Sequence, residues 1–112
     1  MVKDMFKIFR QRQLKDAMEF VANNPDKFAI HLHRIVFDNS PGCFHKAVQS
    51  GYPIAHVFCR SLPKLIALAE DAGVKKLFVH FPRKERQHID LCGKPLEYVL
   101  TQAGTSLELF RK

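Results

Sequence analysis

Short apolar runs and one amphipathic stretch alternate in the second half of the chain, and this alternation constrains the fold most. The runs at 54–59 and 77–81 have the length and composition of buried strands. Between them Ser61 is a good helix N-cap, and Gly73 follows the helical pattern where helices usually end. Strand, helix and strand therefore follow one another within about 28 residues. This order predicts a βαβ unit with a right-handed crossover and two parallel strands.

The same order recurs about 31 to 33 residues further along the chain. We interpret this as a second βαβ-like unit that uses the same start and stop signals. Together the two units predict an α/β fold, a small and mostly parallel sheet with flanking helices. The predicted strands lie near 28–37, 54–59, 77–81, 88–92 and 106–110, and the predicted helices near 3–22, 43–50, 61–72 and 94–103.

The first half of the chain is less clear. Apolar residues at helical spacing and many basic residues predict an amphipathic helix within 1–22, packed on the rest of the protein. Such a helix covers one face of a sheet or contacts nucleic acid, a membrane surface or a partner protein. The segment 28–37 fits both a strand and a helix. Its β-branched and aromatic residues, and the turn residues that follow, favour a strand.

Length and composition predict a single domain over residues 1–112, because no linker or low-complexity run divides the chain. There is no signal-peptide pattern and no apolar run near the ~20 residues that span a bilayer. We therefore expect a cytoplasmic protein that does not contact a membrane. The net charge of +7 favours nucleic acid or a phosphorylated small molecule as partner, and a homo-oligomer stays open.

Two of the three cysteines, Cys59 and Cys92, lie between a predicted strand and a predicted helix. In a parallel sheet these junctions share the edge where ligands bind, and a helix N-terminus lowers the pKa of a thiol. Cys59 and Cys92 are therefore candidate nucleophiles, with His56 or His80 as the base. The alternative is that the cysteines pack as small apolar residues in the core.

Basic residues at the same predicted edge are candidates for anion binding. Helix N-termini bind phosphate and carboxylate oxygens through free N–H groups. No P-loop or dinucleotide-binding glycine pattern accompanies them. The candidate anion-binding residues are Arg60, Ser61 and Lys94 at the helix starts, and Arg83, Lys84 and Arg86 in a charged loop.

The histidine and cysteine spacings are poor for zinc. His56 and Cys59 would point to opposite faces of a strand, although His31 and His33 share a face and with one cysteine could form a site. Nothing in the sequence marks Asp90 as a neighbour of another acid. We expect no metal and no cofactor.

Three functions remain open. The first is a small basic binding protein for a phosphorylated ligand or nucleic acid. The second is a small thiol- or metal-dependent enzyme with a cysteine and histidine site at the carboxyl-terminal edge of the strands. The third is an interaction subunit that uses the N-terminal helix.

Overall fold

A computed structural model describes residues 2–34 and 53–110 of the chain. The predicted helix at 43–50 lies outside the described residues. Short 3-10 turns occur at Val2–Met5, Gln11–Gln13 and Leu107–Phe110. The strands and helices are β1 (Phe6–Phe9), α1 (Leu14–Asn23), β2 (Phe28–Arg34), β3 (Pro53–Phe58), α2 (Leu62–Asp71), β4 (His88–Cys92) and α3 (Gly93–Gln102).

The fold combines helices with a sheet, as predicted, but the sheet is mixed and not mostly parallel. The four described strands lie in the order β1-β2-β3-β4. β1 and β2 are parallel, whereas β2 pairs antiparallel with β3, and β3 antiparallel with β4. The described βαβ unit is therefore β1-α1-β2, in the first half of the chain. The predicted unit that begins with β3 is not confirmed, because β3 pairs antiparallel with both of its neighbours.

The cause lies in the segment after α2. The predicted strand at 77–81 is wrong, because in this segment only His80 forms a bridge, with His88. Phe81 and Arg83 then take positive φ angles of 51° and 65°. These left-handed residues flank Pro82 and turn the chain back, so that β4 enters the sheet in the direction opposite to β3.

The predicted N-terminal helix is correct only over its second half, where α1 forms. Phe6 and Ile8 pack against one core cluster and Phe9 belongs to another, which is the alternation of a strand. β1 is fixed on β2 by the stacked rings of Phe6 and Phe28, whose centroids are 5.1 Å apart. Strand pairing therefore prevails over the helical spacing of the same apolar residues.

Of the other predicted elements, the strand at 28–37 and the helix that Ser61 caps are found in the described residues, whereas the strand at 106–110 is not. The segment from 28 to 34 is a strand, and residues 35–37 lie outside the described part. The Ser61 hydroxyl accepts a hydrogen bond from the Lys64 backbone N–H, so the predicted cap of α2 is confirmed. The predicted strand at 106–110 is wrong, because the Ser106 hydroxyl accepts from the Glu108 N–H and begins a 3-10 turn.

Helices cover both faces of the sheet. On one face, alternate residues of β2, β3 and β4 pack against α2 and α3 around Ile30, Val57 and Ile89. On the other face, α1 packs Ala17 and Val21 against Phe9, Ala29 and Phe58. In the described part of the chain, none of the helices combines the length and the apolar character that crossing a membrane requires.

Candidate metal centre

The face of the sheet that α1 covers in part also carries histidines of three strands. His31 lies opposite His56, and His56 lies opposite Asp90, so the three form one row across β2, β3 and β4. His88 is two residues before Asp90 and therefore points to the same face. His80 joins them through its backbone bridge to His88. We call His56, His80, His88 and Asp90 the histidine cluster.

Asp90 is the centre of this cluster. Its Oδ1 accepts a hydrogen bond from Nδ1 of His56 and lies 3.4 Å from Nε2 of His88. Its Oδ2 lies 3.0 Å from Nε2 of His80. The Asp90 side chain retains 22% of its exposure, so the cluster is within reach of a ligand.

The Arg86 carbonyl determines which nitrogen of His88 carries a hydrogen. Nδ1 of His88 lies 2.7 Å from that carbonyl oxygen and must donate to it, because a carbonyl only accepts. In the neutral ring Nε2 then carries a lone pair, 3.4 Å from the Oδ1 of Asp90. Two electron-rich atoms face each other there, and a cation bound between them would make both contacts favourable.

Donor atoms of His56, His88 and Asp90 all lie within 4.8 Å of one another. Imidazole nitrogen and carboxylate oxygen are ligands for zinc and other first-row transition metals, at about 2.0–2.2 Å. Two ligands of one tetrahedral ion at that distance are roughly 3.5 Å apart. An ion would therefore draw the more distant donors together but would separate Nδ1 of His56 from Oδ1 of Asp90 and replace their direct contact.

The electrostatics of the cluster favour an ionised Asp90 beside a neutral His88. Burial raises the pKa of Asp90, but the hydrogen bond from His56, and the positive charge that His56, His88 and His80 carry when they are protonated, outweigh it and hold the pKa below its usual value. Burial lowers the pKa of His88, against the opposing effects of the Arg86 carbonyl and Asp90. An ionised carboxylate and a neutral imidazole are the protonation states that bind metals.

Two further histidines extend the polar surface onto β2. The ring of His31 stacks on that of His56 with centroids 5.8 Å apart, and the ring of His33 lies 5.3 Å from His56. Burial lowers the pKa of both His31 and His33, and the nearby His56 lowers each further. Nε2 of His31 donates to the Gln11 carbonyl at 2.9 Å, whereas its Nδ1 is buried without a hydrogen-bond partner in the described structure.

A loop from 82 to 87 follows His80 and is anchored by the buried side chain of Gln87. The Gln87 amide donates to the Cys59 carbonyl at 2.8 Å and accepts from the Arg83 N–H at 2.6 Å. The next residue, His88, points to the other face of the sheet, and its Nδ1 donates a hydrogen bond to the Arg86 carbonyl. The loop is therefore tied both to the end of β3 and to the histidine cluster.

Of the predicted catalytic residues, the structure brings His56 and His80 together but separates Cys59 from them. Cys59 is 1% exposed and belongs to the apolar core on the opposite face. Burial raises the pKa of its thiol, outweighing the Ser61 N–H and the charge of Lys64. A thiol with a raised pKa is a weak nucleophile near neutral pH.

The expectation that the two cysteine junctions share one edge is wrong. β3 and β4 are antiparallel, so Cys92 lies opposite Ile54 at the start of β3, whereas Cys59 follows the end of β3. Cys92 is buried as well. Lys94, just beyond Cys92, is for the same reason at the opposite end of the sheet from Arg60 and Ser61.

The four other predicted anion-binding cations do come together, whereas the Ser61 hydroxyl accepts from the Lys64 N–H at the start of α2 and is not among the lining residues of their grooves. Arg60, Arg83 and Lys84 line one groove with a volume of about 550 Å³. Arg86 lines a neighbouring groove together with Arg60 and Lys15 of α1. The loop therefore forms a basic surface that adjoins the histidine cluster.

Two members of the histidine cluster, His88 and Asp90, are not paired in the sequence analysis. The signal is the spacing His88-x-Asp90 within a run whose other members are apolar, since residues two apart on a strand share a face. His31-x-His33 has the same spacing. What the spacing does not contain is the antiparallel register that sets His56 opposite Asp90.

Comparison with known proteins adds no assignment to this geometry. No protein-family model matches the chain, and no curated protein and no solved structure matches it either.

Proposed function

We propose that the protein binds a divalent transition-metal ion through His56, His88 and Asp90. The observation that carries the proposal is the approach of their donor atoms to within 4.8 Å of one another. The tautomer of His88 supports it, because the lone pair of Nε2 is directed at the carboxylate. The proposal departs from the expectation, drawn from residue spacings alone, that the chain holds no metal.

Three protein donors are fewer than the four to six ligands that such ions take. A metal held in this way supplies Lewis-acid chemistry to a further ligand at its open position. His80 has a different part. Its contact with the second carboxylate oxygen at 3.0 Å orients Asp90, as outer partners of metal ligands commonly do.

Metal titration of chelator-treated protein tests the proposal. Calorimetry with Zn²⁺, and the visible spectrum with Co²⁺, should show one site per chain. His88→Ala and Asp90→Asn should weaken binding by about 100-fold or more, and His80→Ala by about tenfold, the effect typical of an outer partner. His33→Ala is the matched control, since it removes a neighbouring imidazole that is not among the three ligands.

Circular dichroism of every variant confirms that the fold is retained. Absence of stoichiometric Zn²⁺ and Co²⁺ binding would refute the metal site. An equal loss of metal affinity in the His33→Ala control would also count against the site, because the loss would then not be specific to the three proposed ligands.

We also propose a second function, the binding of a phosphorylated ligand in the groove of Arg60, Arg83 and Lys84. The support is the convergence of three cations from two parts of the chain on one groove, against one carboxylate, Glu85, among its described lining residues. Arg83 and Lys84 belong to the loop that Gln87 anchors, so these charges are presented by an ordered backbone. Phosphate oxygens form strong charge-assisted hydrogen bonds with such groups.

Inorganic pyrophosphate is a suitable probe for this groove. We expect binding that weakens between about 50 mM and 200 mM NaCl, because exposed charges are screened by salt. The double variant Arg60→Ala/Lys84→Ala should bind at least about tenfold more weakly, corresponding to one or two lost charge-assisted hydrogen bonds. Lys3→Ala, which removes an exposed charge at the other edge of the sheet, should leave the affinity unchanged. Equal binding by the double variant would exclude the groove.

A further inference from the structure

The two most exposed large apolar side chains that the structure describes lie beside the histidine cluster. Phe78 is 69% exposed and Phe81 is 56% exposed. The ring of Phe78 meets His80 edge-on with centroids 4.6 Å apart, and the ring of Phe81 lies 6.1 Å from His88. Aromatic rings held in water next to a polar cluster are typical of a ligand surface.

The backbone that presents Phe81 is strained and yet fixed. Its φ of 51° and the φ of 65° at Arg83 are conformations that residues other than glycine rarely adopt. Hydrogen bonds hold this turn: the Lys84 N–H donates to the Phe81 carbonyl, and the Gln87 N–H donates to the Lys84 carbonyl. Strain that the surroundings maintain is most often found at functional sites.

Cations lie among and beside these rings. Phe81 shares a groove of about 450 Å³ with Lys84 and Arg86, in which Glu85 is the only carboxylate among the described lining residues. Across the loop, Arg60 and Arg83 continue the positive charge. The surface therefore offers aromatic faces and positive charges side by side, as one strand of nucleic acid offers bases and phosphates.

We infer that Phe78, Phe81, Lys84 and Arg86 form a binding surface for single-stranded nucleic acid. Bases stack on the two rings, and the phosphates contact Lys84 and Arg86. The inference rests on the proposed anion groove and is independent of the metal site. A single strand fits better than a duplex, because only unpaired bases expose their faces to a protruding ring.

Fluorescence anisotropy with a labelled oligothymidylate strand, at low and moderate salt, tests the inference. Phe78→Ala and Phe81→Ala should each weaken binding about tenfold, the loss of one stacked base. Lys84→Ala/Arg86→Ala should weaken binding and also flatten the dependence of the affinity on salt. Both rings are exposed, so these variants should fold normally.

Two controls make the result specific. Tyr98→Ala removes another exposed aromatic ring, on α3, and Lys3→Ala removes another exposed charge; both should bind the strand as the unaltered protein does. A duplex of the same length and free thymidine monophosphate should bind at least about tenfold more weakly than the strand.

Several outcomes would overturn the inference. Unaltered strand binding in both phenylalanine variants would show that stacking has no part, and if pyrophosphate binding persisted the anion groove would remain. Equal affinity for the duplex or the monophosphate would also exclude a single-strand surface. If the unaltered protein bound neither the strand nor pyrophosphate, the anion groove and the inference would both be refuted. Zn²⁺ titration tests the metal site separately.

Discussion

Ile89 and Asp90 are consecutive residues of β4, but their side chains lie on opposite faces of the sheet. Ile89 is fully buried in the apolar core beneath α2 and α3, whereas Asp90 collects three imidazoles and remains in part accessible. The comparison recurs on β3, where Val57 lies in the core and His56 in the histidine cluster. One set of alternate residues stabilises the fold, and the other set leaves a site for chemistry.

The two faces of the sheet also differ in the helices that cover them. α2 and α3 cover the apolar face, while α1 packs against the second face around Phe9, Ala29 and Phe58. Phe58 marks the boundary between the two environments, because it belongs to this smaller core and its ring also lies 4.8 Å from that of His88. The histidine cluster therefore has a rigid apolar wall on one side.

The largest effect on stability should come from the apolar face. Ile89→Ala should lower the free energy of unfolding by about 2–5 kcal/mol, since it removes buried methylenes and leaves a cavity. Asp90→Asn should cost only about 1 kcal/mol, because the amide keeps the shape and a hydrogen bond while the charge is lost. Urea denaturation of chelator-treated protein measures both values.

Metal binding should show the reverse order. The folded fraction of Ile89→Ala should bind Zn²⁺ as the unaltered protein does, whereas Asp90→Asn should bind it at least about 100-fold more weakly. If Asp90→Asn destabilised the protein as much as Ile89→Ala does, the histidine cluster would be a structural network, and the distinction between the two faces would fail.

The parts of the fold that the sequence predicts are those with local signals. Ser61 caps α2, and Gly73, with a φ of 84°, follows its end in the left-handed conformation that glycine adopts without strain. α3 likewise follows from its apolar spacing, and the apolar run of β3 from its length. These features depend on contacts within a few residues, which a single sequence contains.

The direction of β4 has no such signal. It depends on a reversal at Phe81 and Arg83, which take positive φ angles although neither is glycine or asparagine. Tertiary contacts, above all those of Gln87, maintain that turn. The sequence therefore predicts a helical crossover to a parallel strand where the chain in fact turns back.

The candidate site depends on the same reversal. A histidine or an acid on alternate strand positions can be recognised from the sequence, but not which strands lie side by side or in what register. Because β3 and β4 are antiparallel, His56 lies opposite Asp90 and Cys59 is separated from Cys92. The cysteines, which a parallel sheet would have brought to one edge, are thereby replaced by the histidines as the centre of the site.

The smallest expected effect concerns the acid sensitivity that the histidine face adds. Burial lowers the pKa of His31, His33 and His88 below 6.5, so the folded protein binds fewer protons than the unfolded chain once the pH falls through that value. Their contribution to stability is therefore complete above pH 6.5 and is lost as the pH falls towards the folded-state values. The lowered pKa of Asp90 acts in the same direction, but only below its ordinary value of 3.8.

His31 allows this effect to be measured for one group. A proton on its buried Nδ1 would have no acceptor among the described residues and would face His56 and His33. His31→Gln can keep a donor for the Gln11 carbonyl and removes the titration. Between about pH 7 and pH 5, the free energy of unfolding measured in EDTA should fall less steeply in this variant. The difference in slope should correspond to the uptake of less than about one proton on unfolding. Lys76→Gln, which changes an exposed side chain, should retain the full slope. An unchanged slope in His31→Gln would mean that protonation of His31 does not lower the stability of the folded protein relative to the unfolded chain.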